Sequence, residues 1–317
     1  MAEIGKDIAK AKALLEQGKL VAIPTETVYG LAGNALDITA VTKVFAAKDR
    51  PFFDPLIVHV PDADSVKNYV EEIPQKASAL MKEFWPGPIT FLLNKKSIIP
   101  DLVTSGLDRV GVRCPNHELT HELLKSLSFP LAAPSANPFS YVSPTRPEHV
   151  NEQLGTKIDY ILDGGECNIG IESTIVGFEN DKVILYRAGG MSVEKMELII
   201  GDVEVRVQSF SNPQAPGQLQ SHYAPRKILK VGNIEKLIEE HKHIKIGVLS
   251  FQKKYASDSI EMQIVLSSSG DPNEAAQKLF SALRELDKSA AEIILTEEVP
   301  NTGLGRAIND RLRRASA

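Results

Sequence analysis

The stretch IPTETVYGLAGNALDITAVTKVFAAKDRPFFDPLIVH, residues 23–59, organises the reading of this chain. Its pattern is strand, polar loop, helix, basic loop, strand. Leu20 to Ile23 is a short apolar run stopped by Pro24, and Thr25, Glu26 and Thr27 then place two hydroxyls and a carboxylate just past a strand end. Open α/β sheets hold their ligands at that position. Gly30 and Gly33 would let backbone amides approach a bound group, after which Ile38, Val41, Val44 and Phe45 recur at helical spacing. Lys48, Arg50 and Pro51 follow, so two cations arrive together at a helix end. Leu56 to Val60 reads as a buried strand, with His59 its one titratable group. Taken singly, each feature has a structural explanation: Thr25 suits a turn cap, and Lys48 and Arg50 suit the negative end of a helix dipole.

Taken together they are more specific. P-T-E-T-x-Y-G-L at 24–31, K-x-R-P at 48–51 and P-L-I-V-H at 55–59 resemble the signature of the YrdC-domain family, the threonylcarbamoyl-AMP synthases. That family makes the activated intermediate for threonylcarbamoyladenosine in transfer RNA. Downstream, Ser135 and Asn137 supply the S-x-N half of the K-x-R signature, and Ser143-Pro144-Thr145, Asp163-Gly164-Gly165 and Ser173-Thr174-Ile175-Val176 match further family runs.

Elementary bounds agree with a soluble enzyme. A length of 317 residues suggests about two domains and a substantial core. The formal net charge of −5 argues against a surface built for sequence-blind nucleic-acid binding, although a local basic pocket remains allowed. Cys114 and Cys167 offer no spacing for a zinc cluster or a disulfide framework, so a reducing cytoplasm is expected. The first twenty residues carry lysines throughout and lack the apolar core of a signal peptide. They read as an amphipathic helix with Ile4, Ile8, Ala11 and Leu15 on one stripe and Gly18 as its stop. No apolar run approaches the ~20 residues that span a bilayer.

Beyond His59, helices are expected at 62–69 and 74–84, and a strand at 89–93 after the breaker Trp85-Pro86-Gly87-Pro88. Trp85 suits a sheet corner more than a base stack. R-V-G-V-R at 109–113 alternates, so Arg109 and Arg113 share one face of a strand and could grip an anion between two guanidinium forks. His117-Glu118-Leu119-Thr120-His121 satisfies the H-E-x-x-H zinc pattern. Helix geometry argues against it: Leu119, Leu123, Leu124 and Leu127 form the apolar face, which turns both histidines toward water. Strands follow at 131–133, 160–162 and 183–186, and a helix at 193–200.

Residues 208–226, rich in Pro, Gln and Ser, read as a linker between a first domain at 1–207 and a second at 227–317. The second alternates strand 228–231, helix 234–241, strands 245–250 and 262–266, helix 273–287, strand 292–296 and helix 303–314. That order implies a small parallel α/β domain. No phosphate loop appears in it, so the bottom-up reading gives it no chemistry of its own.

The resemblance implies a fold and a site. The fold is α/β: a YrdC-like twisted mixed sheet with helices forming a concave basic pocket, plus a smaller Rossmann-like parallel domain. The linker motif P-G-x-x-x-x-H-Y-A-P at 216–225 corresponds to a segment that folds over the nucleotide in the family's long form. The implied catalytic residues are Lys48 and Arg50. ATP would meet Lys48, Arg50, Asp54, Arg109, Ser135, Asn137, Ser143, Arg187, His222 and Tyr223. Threonine would meet Thr27, His59, Arg113, Ala133 and Ser173. The family usually has asparagine where Asp54 stands and a small polar residue where Arg109 stands. Substrates would be L-threonine, bicarbonate and ATP, with Mg²⁺ accompanying the triphosphate, and transient contact with the downstream tRNA-modifying machinery is expected. A non-catalytic RNA-binding module is the alternative.

Overall fold

The computed structural model describes residues 1–206, 215–217, 219 and 221–317. Most of the expected linker core, 207–214 with 218 and 220, therefore lies outside the described residues. The chain opens with strand β1 (Glu3–Gly5) and helix α1 (Ile8–Glu16). Asp7 caps α1 by accepting from the Lys10 amide at 2.9 Å, a contact of about 1 kcal/mol, which starts the helix four residues after Ile4. Ile4 is consequently a strand residue, and the single helix expected from residue 4 is split in two.

Strand β2 (Val21–Ile23) turns back as β3 (Gly30–Asn34), which the sequence reading took for loop. Two glycines hid it. A Cβ on Gly30 would stand 3.2 Å from the Ala133 Cβ, and one on Gly33 would meet Val44 and Leu20 at 3.2 and 3.3 Å. These glycines serve close packing in a strand. Helix α2 (Ile38–Lys48) is capped by Asp37 and ends at Asp49 in the left-handed region. Then follow β4 (Ile57–His59), a short 3₁₀ turn at Ser65–Asn68 where a helix was expected, α3 (Gln75–Phe84), β5 (Ile89–Asn94), α4 (Asp101–Thr104) and β6 (Arg109–Arg113). Trp85 donates to the Ile89 carbonyl and packs edge-on against Phe91, at a sheet corner. The first unit continues with α5 (Glu118–Ser126), β7 (Leu131–Ala132), α6 (Pro147–Leu154), β8 (Tyr160–Leu162), β9 (Thr174–Glu179), β10 (Lys182–Arg187), α7 (Val193–Ile200) and β11 (Val203–Val205).

These strands form one mixed sheet in the order β1-β8-β2-β3-β7-β4-β6-β5-β9-β10-β11. One part of its core lies under α1 and α5, where Ala11, Leu15, Leu123 and Leu124 pack on Val21, Ile23 and Leu131. The second unit comprises β12 (Ile228–Val231), α8 (Ile234–His241), β13 (Ile246–Ser250), β14 (Ile260–Val265), α9 (Pro272–Lys288), β15 (Ile293–Thr296) and α10 (Gly305–Ala315). Its sheet, β12-β15-β13-β14, is parallel throughout. The largest hydrophobic cluster runs without a break from Val142 and Ala136 to Leu279, Phe280 and Leu283 of α9, so the two units share a core. No helix among the described residues is long and apolar enough to cross a membrane.

Candidate active site

Side chains on one strand face alternate with period two, so Ile57 and His59 of β4 point the same way, and the parallel register sets Arg113 beside His59. Ala133 follows β7 and donates its amide to the Ile57 carbonyl at 3.0 Å, while Ser173 precedes β9 and Arg187 ends β10. These positions line a cleft of about 490 Å³ including its mouth, walled by Arg50, His59, Arg113, Ala133, Ser135, Glu172, Ser173 and Arg187. Pro216, Gly217, His222 and Tyr223 of the linker close it from the other side.

Three guanidinium groups dominate the wall, and each is held differently. Arg50 donates to the carbonyls of Asp54 and Pro55 at 3.0 and 2.8 Å, and its Nη2 lies 2.9 Å from the buried Asp54 carboxylate. Arg113 pairs with Glu26 at 2.8 Å. Arg187 donates to the carbonyl and hydroxyl of Ser173 and to the Pro216 carbonyl, and makes no ion pair with a carboxylate among the described residues. It thus ties the sheet to the linker. Burial pushes the Asp54 carboxyl up against the pull of Arg50. Burial, reinforced by the Arg113 charge, holds His59 down to about 3, so its imidazole is neutral at physiological pH. His222 is likewise neutral: burial lowers it first, and the surrounding charges of Arg50, Lys48, Arg187 and Arg311 lower it further.

Nine of the residues expected at the site therefore meet in the cleft: Arg50, His59, Arg113, Ala133, Ser135, Ser173, Arg187, His222 and Tyr223. Five more stand behind its wall. Lys48 is fully buried and donates its ammonium to the carbonyls of Ser135 and Asn137, 2.5 Å each. The K-x-R and S-x-N signatures are thus one clamp. Asp54 backs Arg50, and the Asn137 amide donates to the Pro138 and Tyr141 carbonyls. Ser143 donates to Glu172, and Thr27 exchanges a hydrogen bond with Thr25. Arg109 is not brought into the wall. It stands four residues from Arg113, about 13 Å along the strand, where Nη1 donates to the Tyr186 hydroxyl at 3.0 Å and the guanidinium stacks on that ring at 5.1 Å. Arg109 thus stands with Tyr186 and Glu179, apart from the residues that line the cleft.

His117 and His121 do not simply face water, as the helical wheel implied. Both are half-buried, and His117 packs against the Gly164 turn, its Nε2 3.4 Å from that carbonyl. Among the described residues no group of three His, Cys, Asp or Glu side chains is placed to hold a metal. Sequence reasoning missed Glu26, Glu172 and Arg311 as charged partners of the site. Glu172 could have been flagged by its place directly before Ser173. Arg311 could not, because it arrives from α10, 139 residues beyond the carboxylate it pairs with.

Fold and cleft together define a class: a two-unit α/β protein with an arginine-lined cleft between a mixed sheet and the chain segment leading to a parallel one. A family model described as "Telomere recombination", for the Sua5/YciO/YrdC domain, matches residues 13–189, and one described as "Threonylcarbamoyl-AMP synthase, C-terminal domain" matches 191–317. The chain is 40% identical to the threonylcarbamoyl-AMP synthase of Pyrococcus abyssi, over 96% of this chain and 93% of that one. It is 39% identical to the threonylcarbamoyl-AMP synthase of Bacillus subtilis, over 98% and 92%. The crystal structure of P. abyssi Sua5 complexed with L-threonine superposes with a TM-score of 0.92, at 38% identity, covering 100% of this chain and 97% of that one. The chain belongs to the threonylcarbamoyl-AMP synthase family, in its two-domain form.

Proposed function

We propose that the cleft joins L-threonine, bicarbonate and ATP into threonylcarbamoyl-AMP and pyrophosphate, for threonylcarbamoyladenosine modification of transfer RNA. The observation that carries this reading is the convergence of three buried guanidinium groups, two neutral histidines and three hydroxyls in one cleft, with Arg187 hydrogen-bonded to Ser173 and Pro216 and in no ion pair among the described residues. His59, Arg113, Ala133 and Ser173 hold threonine, the Arg113 fork meeting its carboxylate. Arg50, Ser135, Arg187, His222 and Tyr223 hold ATP. Lys48, Asp54, Asn137, Ser143 and Thr27 keep those groups in place.

The amine of threonine adds to the carbon of bicarbonate, and water leaves with the displaced oxygen. An oxygen of the resulting carbamate then bonds to the α-phosphorus of ATP, and the bond to the β-phosphate oxygen breaks, releasing pyrophosphate. Charge accumulates on oxygen throughout, so catalysis comes from cations and amides already in place rather than from a nucleophilic side chain. The residues present do not form a Mg²⁺ cage: Asp54, Glu26 and Glu172 are each engaged by an arginine. Mg²⁺ accompanying the triphosphate would be held by the phosphates and water rather than by these carboxylates, and would supply charge neutralisation there.

On this reading residues 1–206 carry the catalytic cleft, Pro216, Gly217, His222 and Tyr223 of the linker cover it, and 227–317 form the Rossmann-like domain that backs them. Two free, buried cysteines fit a reducing cytoplasm, where the product passes to the tRNA-modifying machinery. A binding module for RNA is disfavoured because the cations sit inside a cleft, not on an open face. The test is pyrophosphate release from ATP by the purified chain. Release that requires both L-threonine and bicarbonate supports the reading, and its absence under every condition would overturn it.

A further inference from the structure

The second α/β unit does more to the cleft than cover it. Glu172, the one acidic side chain in the cleft wall among the described residues, has both carboxylate oxygens held. Oε1 accepts from the Ser143 hydroxyl at 2.5 Å, and Oε2 accepts from Arg311 Nε at 2.9 Å. Arg311 belongs to α10, is fully buried, and also donates Nη1 to Asp310 at 2.9 Å. Its guanidinium lies over the Tyr223 ring at 5.0 Å, and that ring stacks on Phe280 of α9 and touches the His222 ring. Its Nη2 is buried with no hydrogen-bond partner among the described residues. One guanidinium thus meets the cleft wall, the linker and its own helix.

Burying an arginine is costly, and packing alone does not call for it, since an apolar side chain of similar volume would fill the space without desolvating a charge. The charge matters because of what it faces. A bare Glu172 carboxylate in the wall would repel a polyphosphate entering beside Arg187 and Arg50. Paired with Arg311, it becomes a neutral, hydrogen-bonded strut that keeps Ser143 in place.

We propose that Arg311 is a positioning residue of the reaction, which neutralises Glu172 and couples docking of the C-terminal domain to the affinity of the cleft for ATP. This rests on the reading of the cleft as the nucleotide site. The cleft of the full chain is then complete only when α10 is seated against it.

The test uses the full-length protein and reads KM for ATP and for threonine separately, by pyrophosphate release, with melting temperature as a control. Arg311→Met leaves a bare carboxylate in the wall, and the ATP KM is expected to rise about tenfold while the threonine KM stays within about twofold. Adding Glu172→Gln removes the orphaned charge yet still accepts from Ser143, so the double variant is expected to recover most of the ATP affinity. A merely structural arginine gives the opposite result, with losses that add and fall on both substrates alike, and that outcome overturns the proposal. If Arg311→Met does not fold, Arg311→Gln carries the same comparison, and a wild-type ATP KM in Arg311→Gln also overturns it. Absence of pyrophosphate release by the wild-type chain would overturn the nucleotide reading and this inference with it. Additive losses in an active enzyme would overturn this inference alone.

Discussion

Lys48→Met is the substitution that best separates what the signature lysine does from what its spacing suggests. The sequence alone implies a phosphate ligand whose removal abolishes activity and spares the fold. The structure implies a second cost. Methionine keeps the length of the stem and removes the ammonium that two carbonyls, those of Ser135 and Asn137, accept from. The Ser135 carbonyl keeps the Asn137 amide at 3.0 Å, so the Asn137 carbonyl is the buried acceptor left unmatched, at a cost of about 1–3 kcal/mol. A term of opposite sign offsets part of it: the Lys48 ammonium is fully buried, and burial together with the Arg50 charge drives its pKa well below the usual lysine range, so the wild type already bears a desolvation cost. The expected net loss is therefore in the lower half of that range, about 1–2 kcal/mol. Urea unfolding followed by circular dichroism measures it. Hydrogen exchange adds a local readout, since the Ala136 amide, bonded to the Tyr29 carbonyl at 2.7 Å, should lose protection as the 134–137 loop loosens. Wild-type stability and wild-type protection of that amide, whatever the activity, would refute the clamp.

Two further outcomes follow from the same geometry. His59 has a folded pKa near 3, below the ordinary histidine value of about 6.5, so the unfolded chain binds the extra proton across that window. Stability contributed by the neutral ring is present above the unfolded value and is lost as pH falls toward the folded one, by about 1.4 kcal/mol per pH unit; His59→Gln should flatten that acid limb in a melting-temperature series, and an unchanged limb would contradict it. Gly217 has φ +81°, and a Cβ there would stand 2.6 Å from the Tyr223 hydroxyl and 3.2 Å from Arg187 Cδ. Gly217→Ala is accordingly expected to strain the linker against the cleft and lower kcat/KM for ATP by about tenfold, with a melting temperature close to wild type; equal kinetics would show that the linker yields freely.

How far the sequence reveals this protein depends on the distance over which each residue finds its partners. The cleft residues were legible through the joint resemblance of the P-T-E-T-x-Y-G-L, K-x-R-P, P-L-I-V-H and S-x-N runs to a known family, since each polar residue past a strand end, taken singly, also suits a turn or a cap. The second unit was legible from its alternation, element by element, because its periodicities are local. Strand β3 was not, since Gly30 and Gly33 are read as loop formers until the neighbours that need their missing side chains are known. Arg109 shows the converse. Sharing a strand face with Arg113 was correctly inferred, but the face is longer than the cleft, and the far end belongs to Tyr186 and Glu179. Glu172 and Arg311 owe their roles to each other, and no pattern in either segment announces a partner in a different domain.

The edge of the mixed sheet has a temporal meaning as well. Strand β1 pairs with β8 along Glu3–Tyr160, Ile4–Ile161 and Gly5–Leu162, and the Asp7 amide donates to the Tyr160 hydroxyl 153 residues downstream. During synthesis at about 5–20 residues per second, the amino-terminal strand waits roughly 8–30 s for its partner to be made. Until then its backbone groups face solvent and nascent neighbours, and loop-closure entropy delays the pairing further. The sequence met in that interval is short and carries Glu3, Lys6 and Asp7, charges that keep a waiting strand from recruiting the wrong edge. Strand β1 is thus made long before the strand it pairs with in the sheet.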